Sequence, residues 1–324
     1  MSMHKGKASP FLYSDTNKRY HTYDYYLRHR YGGKCAKIAL DAGFTCPNRD
    51  GTCGTEGCIY CSPRGSGDFT FSGLSIKEQY DRQCAVLLQK WGSTRYIPYL
   101  QAYTNTYAPI SVLRGVYEET LALPGAVAFH IATRADCLGS EVLSLLAEVS
   151  ERIDLTVELG LQSVHDTTAA AIGRGHGFSA FSEGYFSLRE AVPRARISVH
   201  LINGLPGEDA GMMIESAYRV SQLEPDEVKL HLLHVLRDTR MAKLWEEGRY
   251  TPLTLEEYTD ILVKQLELFS PEAVIGRITG DGGREALLAP LWSLKKLAVM
   301  NILDRKMVEK NTVQGRKWAK CVQM

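Results

Sequence analysis

Short apolar runs alternate with longer amphipathic stretches over most of this chain. Runs rich in β-branched or apolar residues at 37–40, 96–103, 126–133, 154–160, 196–202 and 227–234 predict strands. Stretches with helical periodicity at 76–90, 110–121, 140–150, 209–222 and 254–268 separate them. Their starts carry recognisable signals: Ser75, Pro109, and the capping box Thr254-x-x-Glu257. In 140–150, Leu143, Leu146 and Ala147 share one face. A strand at 273–279 and a helix at 285–310 complete the pattern.

Parallel strands need a crossover between them, and helices supply it here, so the alternation predicts parallel βαβ units. Six units are too few for a closed eight-unit barrel. They suit a partial (β/α)6 TIM-type barrel or a doubly wound sheet. In both, ligands gather at the C-terminal ends of the strands. The chemically notable segments fall there: 104–107, 133–136, 160–163, 203–208 and 231–234. With no Pro-rich linker, the chain reads as one domain: a basic extension (1–34), a barrel (35–270), and a C-terminal strand, helix and basic tail (271–324).

Composition removes some classes. At 324 residues and 44% hydrophobic, the chain can bury a large core, so disorder is excluded for its bulk. No run approaches the roughly 18 apolar residues a membrane helix needs, and residues 1–11 lack a signal-peptide pattern. Cytoplasmic location with no membrane partner is expected. The formal net charge of +1 hides a polarity. Residues 1–40 and 294–324 each carry eight basic and two acidic side chains, a balance of +6, which leaves −11 for the middle. That pattern suits either a solvated, salt-bridged surface or a polyanion partner.

Four of the eight cysteines crowd into one loop after the first strand: Cys46, Cys53, Cys58 and Cys61. In a reducing compartment such clustering points to metal or catalysis. The spacing Cys46-x11-Cys58-x2-Cys61 offers three thiolates for three irons of a [4Fe–4S] cube, with the fourth iron open to chelate a ligand. A closed four-Cys zinc site is the structural alternative. Cys53 is then a spectator or a fourth ligand. Cys35, Cys84, Cys137 and Cys321 show no ligand spacing and read as buried thiols.

The Cys-x-x-Cys pair with a more distant Cys before it, and an aromatic residue (Tyr60) directly before the last Cys, resembles the radical S-adenosylmethionine (SAM) superfamily. The wide first gap is similar to that of the Elongator-subunit-3-like branch. Phe44-Thr-Cys46-Pro-Asn-Arg-Asp-Gly51, Gln101-Ala-Tyr-Thr-Asn-Thr-Tyr107, Thr133-Arg-Ala-Asp-Cys137, Glu158-Leu-Gly-Leu-Gln-Ser163 and Gly173-Arg-Gly-His176 resemble the YhcC/YtqA-type subgroup. The resemblance implies an enzyme that reductively cleaves SAM to a 5′-deoxyadenosyl radical, which abstracts hydrogen from a substrate. It implies a [4Fe–4S] cluster on Cys46, Cys58 and Cys61, and a low-potential donor of flavodoxin or ferredoxin type.

The same resemblance implies SAM contacts. Thr104-Asn105-Thr106 stands where many relatives place Gly-Gly-Glu for the SAM amino group, and departs from that triplet. Glu158, Gln162 and Ser163 fall where the ribose and carboxylate are held. Arg174 is placed to grip the carboxylate. Gly204 opens the Gly-Leu-Pro-Gly-Glu turn beside the adenine. The bland readings are Asx turns at 104–106, a strand-to-helix turn at Gly204, a loop histidine at His176, and packing for His231 and His234.

For substrate, Tyr20, Tyr23, Tyr25, Tyr26 and Tyr31 interleave with Arg19, Arg28, Arg30 and Lys34. That mixture suits single-stranded RNA, or a helix packing its tyrosines on the barrel. Elongator-like relatives modify the wobble uridine of tRNA, and the subgroup is linked to the C5 side chain of that base. tRNA is therefore the expected substrate, with a small metabolite or protein as the other enzymatic reading and a zinc-stabilised binding module as the non-enzymatic one.

Overall fold

The computed structural model describes residues 10–92, 95–280, 283 and 285–319. Among these residues lie nine strands: β1 (Ala36–Leu40), β2 (Tyr96–Leu100), β3 (Ala128–Thr133), β4 (Asp154–Gln162), β5 (Arg196–Asn203), β6 (Glu227–Leu232), β7 (Val235–Leu236), β8 (Val274–Arg277) and β9 (Leu287–Ala289). Ten α-helices accompany them: α1 (Tyr23–Tyr31), α2 (Ile76–Trp91), α3 (Ile110–Leu121), α4 (Ser140–Ser150), α5 (Asp166–Ala171), α6 (Phe178–Ala191), α7 (Ala210–Ser221), α8 (Arg240–Glu246), α9 (Leu255–Leu266) and α10 (Lys296–Glu309). Both capping boxes, at Ser75–Glu78 and Thr254–Glu257, are formed.

Seven strands make one parallel sheet in the order β1-β2-β3-β4-β5-β6-β8. The strand expected at 273–279 thus continues the barrel sheet beside β6. Alternate positions face outward onto helices and are fully apolar: Ile38, Leu100, Ile131, Val157, Leu159, Val199 and Leu230 are all buried. The other face is polar. Lys37 on β1 and Lys229 on β6 both reach Glu158 on β4, each at 2.5 Å. At about 4.8 Å per strand, a flat sheet would hold them about 14 and 10 Å away. The sheet is therefore curled into a half-barrel, and these side chains share its concave face.

One expectation is corrected and one is decided. The helix predicted over 285–310 is broken. Pro290 has no N–H and clashes with a preceding helical turn, so the segment forms β9, paired antiparallel with β7, then a 3₁₀ turn (Leu291–Leu294), and only then α10. Second, of the two readings of the basic-aromatic segment, its described residues take the packed one, a helix laid against the barrel. Arg30 pairs with Asp154, the first residue of β4, and Arg196, the first of β5, stacks on Tyr26 at 4.2 Å. Thr22 bridges to Ile275 near the start of β8. Residues 20–31 thus close the N-terminal end of the half-barrel, with Tyr20 and Leu27 buried against it. The C-terminal tail joins them there: Lys18 pairs with Asp304, and Arg19 donates to the Thr312 carbonyl. Packed tyrosines and internal ion pairs account for this basic-aromatic segment.

Candidate active site

The loop after β1 folds tightly on itself. Cys46 carbonyl accepts from Arg49 N–H at 2.8 Å, Pro47 carbonyl from Cys53 at 2.7 Å, and Asn48 carbonyl from Gly57 at 2.7 Å. Gly57 takes φ +72°, which a side chain disfavours, and a Cβ there would press on the Arg49 guanidinium. The Cys58–Cys61 turn closes with Cys61 N–H on the Cys58 carbonyl at 3.0 Å. Its middle is tied on both sides: Ile59 donates to the Ile172 carbonyl, and its own carbonyl accepts from Met241 N–H. The loop is thus held over the strand C-termini from β4–α5 on one side and α8 on the other.

Three cysteines end up inward and one does not. Cys58 is buried, Cys46 and Cys61 are half-buried, and Cys53 is exposed. Asn48, itself buried, places Nδ2 3.4 Å from Cys58 Sγ, while donating to the carbonyls of Gly173 and Arg174 at 3.0 and 2.8 Å. Arg134 stands 4.0 Å from Cys46 Sγ, donates to the Arg174 carbonyl, and pairs with Asp136 at 2.6 Å. Burial pushes the Cys61 thiol up to about 11, and Cys58 adds to the rise. Among the described residues, no three His, Cys, Asp or Glu side chains gather closely enough for a single metal ion. A cube, which takes one thiolate per iron, suits three inward thiols on an otherwise covered loop.

Around the mouth, several buried polar atoms have no partner among the described residues: Asn48 Oδ1, Asn105 Oδ1, Gln162 Oε1 and Arg174 Nε. Such atoms are uncommon and call for a ligand or water. Three acceptors and a guanidinium fit an amino-acid group, with its ammonium and carboxylate. The local backbone serves the same end. Gln162 sits at φ +76°, and a β-bulge at Gly160–Gln162 breaks the simple alternation expected there. Arg174 donates to the Gly160 carbonyl. Asn105 Nδ2 holds three carbonyls, of Leu100, Ala102 and Ala132, so the 104–106 turn is built as an Asx-type loop with only Oδ1 left over. Thr104 is buried beside it, its N–H on the Thr45 carbonyl. Tyr60 lies half-buried in the Cys58–Cys61 turn, and burial holds its hydroxyl well above the ordinary range.

Two of the expected SAM contacts have protein partners of their own. Glu158 lies deeper, in the lumen, with its side chain fully buried and touching Lys37, Lys229 and His130. Burial works against its charge, but Lys229 and Lys37 outweigh it and hold the carboxyl well below the usual range. Ser163 donates to Glu208, the last residue of the Gly-Leu-Pro-Gly-Glu turn. Gly204 keeps φ +87°, and its carbonyl accepts from Tyr250 OH at 2.7 Å. The sequence reading gave no role to Asn48, Lys37, His130 or Lys229. For the last three the available signal was a polar residue at alternate positions of strands whose other face is wholly apolar. Cys35 is buried and Cys84 and Cys137 are half-buried, while Cys321 lies outside the described residues.

Comparison with known proteins agrees with this geometry. Residues 49–218 match the Radical SAM superfamily model, and 225–309 match the Radical_SAM C-terminal domain. YtqA of Bacillus subtilis is 44% identical over 309 residues, covering 95% of each chain, and YhcC of Escherichia coli is 37% identical over 90% of this chain and 94% of its own. The tRNA uridine(34) acetyltransferase of Dehalococcoides mccartyi is 29% identical over 56% of this chain and 39% of that protein. In fold, the archaeal Methanocaldococcus infernus Elp3 superposes with a TM-score of 0.63 at 17% identity, covering 86% of this chain and 64% of that one. The chain belongs to the radical SAM superfamily, whose members use a [4Fe–4S] cluster and SAM.

Proposed function

We propose that this radical SAM enzyme acts on tRNA at the C5 side chain of the wobble uridine. The observation that carries the reading is its similarity to a tRNA uridine(34) acetyltransferase across 56% of the chain. Acetyl transfer does not come with it, because only 39% of that protein is matched. The described parts of the basic ends do not carry it, since Arg30 and Lys18 are paired at the other end of the half-barrel.

Cys46, Cys58 and Cys61 would hold the cluster, with Cys53 outside it. Bound there, the cluster supplies the electron that cleaves SAM. Asn105 Oδ1 and Gln162 Oε1 would accept from the SAM ammonium, and Arg174 would face its carboxylate, as the unpartnered atoms at the mouth suggest. Tyr60, Thr104, Ser163 and Gly204 would wall the same space, Ser163 through Glu208. Glu158, held by Lys37, Lys229 and His130, would support that space from the lumen beneath. A low-potential donor of flavodoxin or ferredoxin type would reduce the cluster.

The test is the nucleoside composition of tRNA from cells with and without the gene, restored by the wild-type copy or by Cys58→Ala. A wobble-uridine nucleoside that changes on deletion and returns only with the wild-type copy is expected. An unchanged profile overturns the tRNA reading and favours a small metabolite or a protein as substrate.

A further inference from the structure

Arg134 follows the last residue of β3, and its side chain is buried. Nε and Nη2 form a fork on the Asp136 carboxylate, at 2.9 and 2.6 Å. Nη1 donates to the Arg174 carbonyl at 3.0 Å and to Cys46 Sγ at 4.0 Å. The guanidinium is planar and rigid, so the fork and the carbonyl together fix where Nη1 points. The turn at 173–176 makes room for it: a Cβ on Gly175 would stand 3.2 Å from Arg134 Nη2.

A neutral thiol is a weak acceptor, and burying a charged donor against one gains little. A thiolate bound to iron carries negative charge and is a far better match. The contact therefore suits Cys46 as a ligand rather than as a free thiol. In a buried site the positive charge also acts strongly on its surroundings. Asp136 offsets part of that charge from another edge of the guanidinium. His176 stands 3.9 Å from the same carboxylate, but burial lowers it to about 4, so at neutral pH it adds no charge. Cys58 has a neutral donor, Asn48, in the corresponding place. Arg49, beside Cys61, is half-buried, so water screens it more.

We propose that Arg134 is a positioning residue that holds a positive charge against the Cys46 sulfur and raises the reduction potential of the cluster, with Asp136 limiting the rise. One-electron reduction adds a negative charge to the cluster, and a fixed positive charge beside it favours the reduced form. The electron donor then needs less driving force. The proposal rests on Cys46 being a cluster ligand, and does not depend on the substrate being tRNA.

The test is the reduction potential of the full-length, anaerobically reconstituted protein, read at fixed pH by redox titration of the EPR signal of the reduced cluster. SAM is left out, which removes any effect passed through Arg174. Arg134→Gln should make reduction roughly tenfold less favourable, a potential lower by about 59 mV for one electron. Arg134→Lys keeps the charge and should recover most of that loss. Asp136→Asn should move the potential upward, because it unmasks the guanidinium. Both Arg134→Gln and Asp136→Asn break the same ion pair, so a merely structural pair gives shifts of one sign or none. An unmoved potential in Arg134→Gln, or shifts of the same sign in these two variants, overturns the proposal. If Arg134→Gln loses iron and sulfide, Asp136→Asn decides alone: a rise supports the proposal and its absence overturns it. Wild-type protein that binds no iron or sulfide sinks the cluster assignment itself. An unchanged tRNA profile alongside the expected shifts sinks the tRNA reading alone.

Discussion

Asn48 presents its side-chain N–H to Cys58 Sγ at 3.4 Å, and the same nitrogen donates to two carbonyls of the turn after α5. One amide therefore links the cysteine loop to the segment that carries Arg174. Asn48→Ala should leave the Gly173 carbonyl without this donor, while the Arg174 carbonyl keeps Arg134. Such a loss typically costs about 1–3 kcal/mol, and urea denaturation reads it. The reconstituted variant should also have a more negative reduction potential, because hydrogen bonds to cluster sulfur raise it. An unchanged potential would mean that Asn48 acts on the fold alone.

Exposure separates Cys53 from the other three loop cysteines. Cys46→Ala, Cys58→Ala and Cys61→Ala should each lose bound iron and sulfide. Cys53→Ala should retain both at the wild-type level. Iron and sulfide analysis after anaerobic purification checks this, and a Cys53 variant without iron would revive a fourth-ligand role.

Glu158 sits between Lys37 and Lys229 with no exposed side-chain surface. Glu158→Gln leaves two ammonium groups in the lumen without their counter-charge. Breaking a buried pair in this way typically costs about 3–5 kcal/mol. Glu158→Leu combined with Lys229→Leu should cost less than the sum of the single changes, because the second removes the charge stranded by the first. Denaturant midpoints for the two single variants and the double variant decide the matter.

Acid should weaken the fold between pH 6.5 and 4. Burial lowers His21 to about 4 and His200 to about 4; at His200 the nearby Lys229 reinforces it. In the unfolded chain each returns to about 6.5. The unfolded state then takes up protons first as pH falls. Their contribution is therefore complete above pH 6.5 and is lost progressively towards 4, by up to about 1.4 kcal/mol per histidine per pH unit. Melting temperature against pH should fall over this range, and His21→Asn should flatten the slope.

Arg28 pairs with Asp15 and Asp24, and Arg30 with Asp154, at the closed end of the half-barrel. Arg28→Gln and Arg30→Gln should each change stability by no more than about 1 kcal/mol, the usual range for surface pairs. Neither should alter the affinity for tRNA or its salt dependence. A flatter salt slope in filter binding would return RNA contact to this segment.

How the chain divides into strands and crossover helices was legible from periodicity, because that information is local. Alternation in β4 and helical spacing in α4 are each contained within a dozen residues. The Cys46-x11-Cys58-x2-Cys61 loop was legible for the same reason: its chemistry depends on one loop's spacing. Even Pro290 carried its own warning against a continuous helix. What only the tertiary structure decided are relations between distant segments. That Glu158 needed a partner or a ligand followed from its place in a buried strand; that the partners are Lys37 and Lys229, 121 and 71 residues away in sequence, did not. Asn48 gained its role only when the turn at 173–174 came under the loop. Whether the basic ends met a polyanion or salt-bridged to the chain itself was left open, because charge balance along a sequence does not reveal pairing. Once folded, Arg30 meets Asp154 and Lys18 meets Asp304 at the end of the barrel opposite the cysteines.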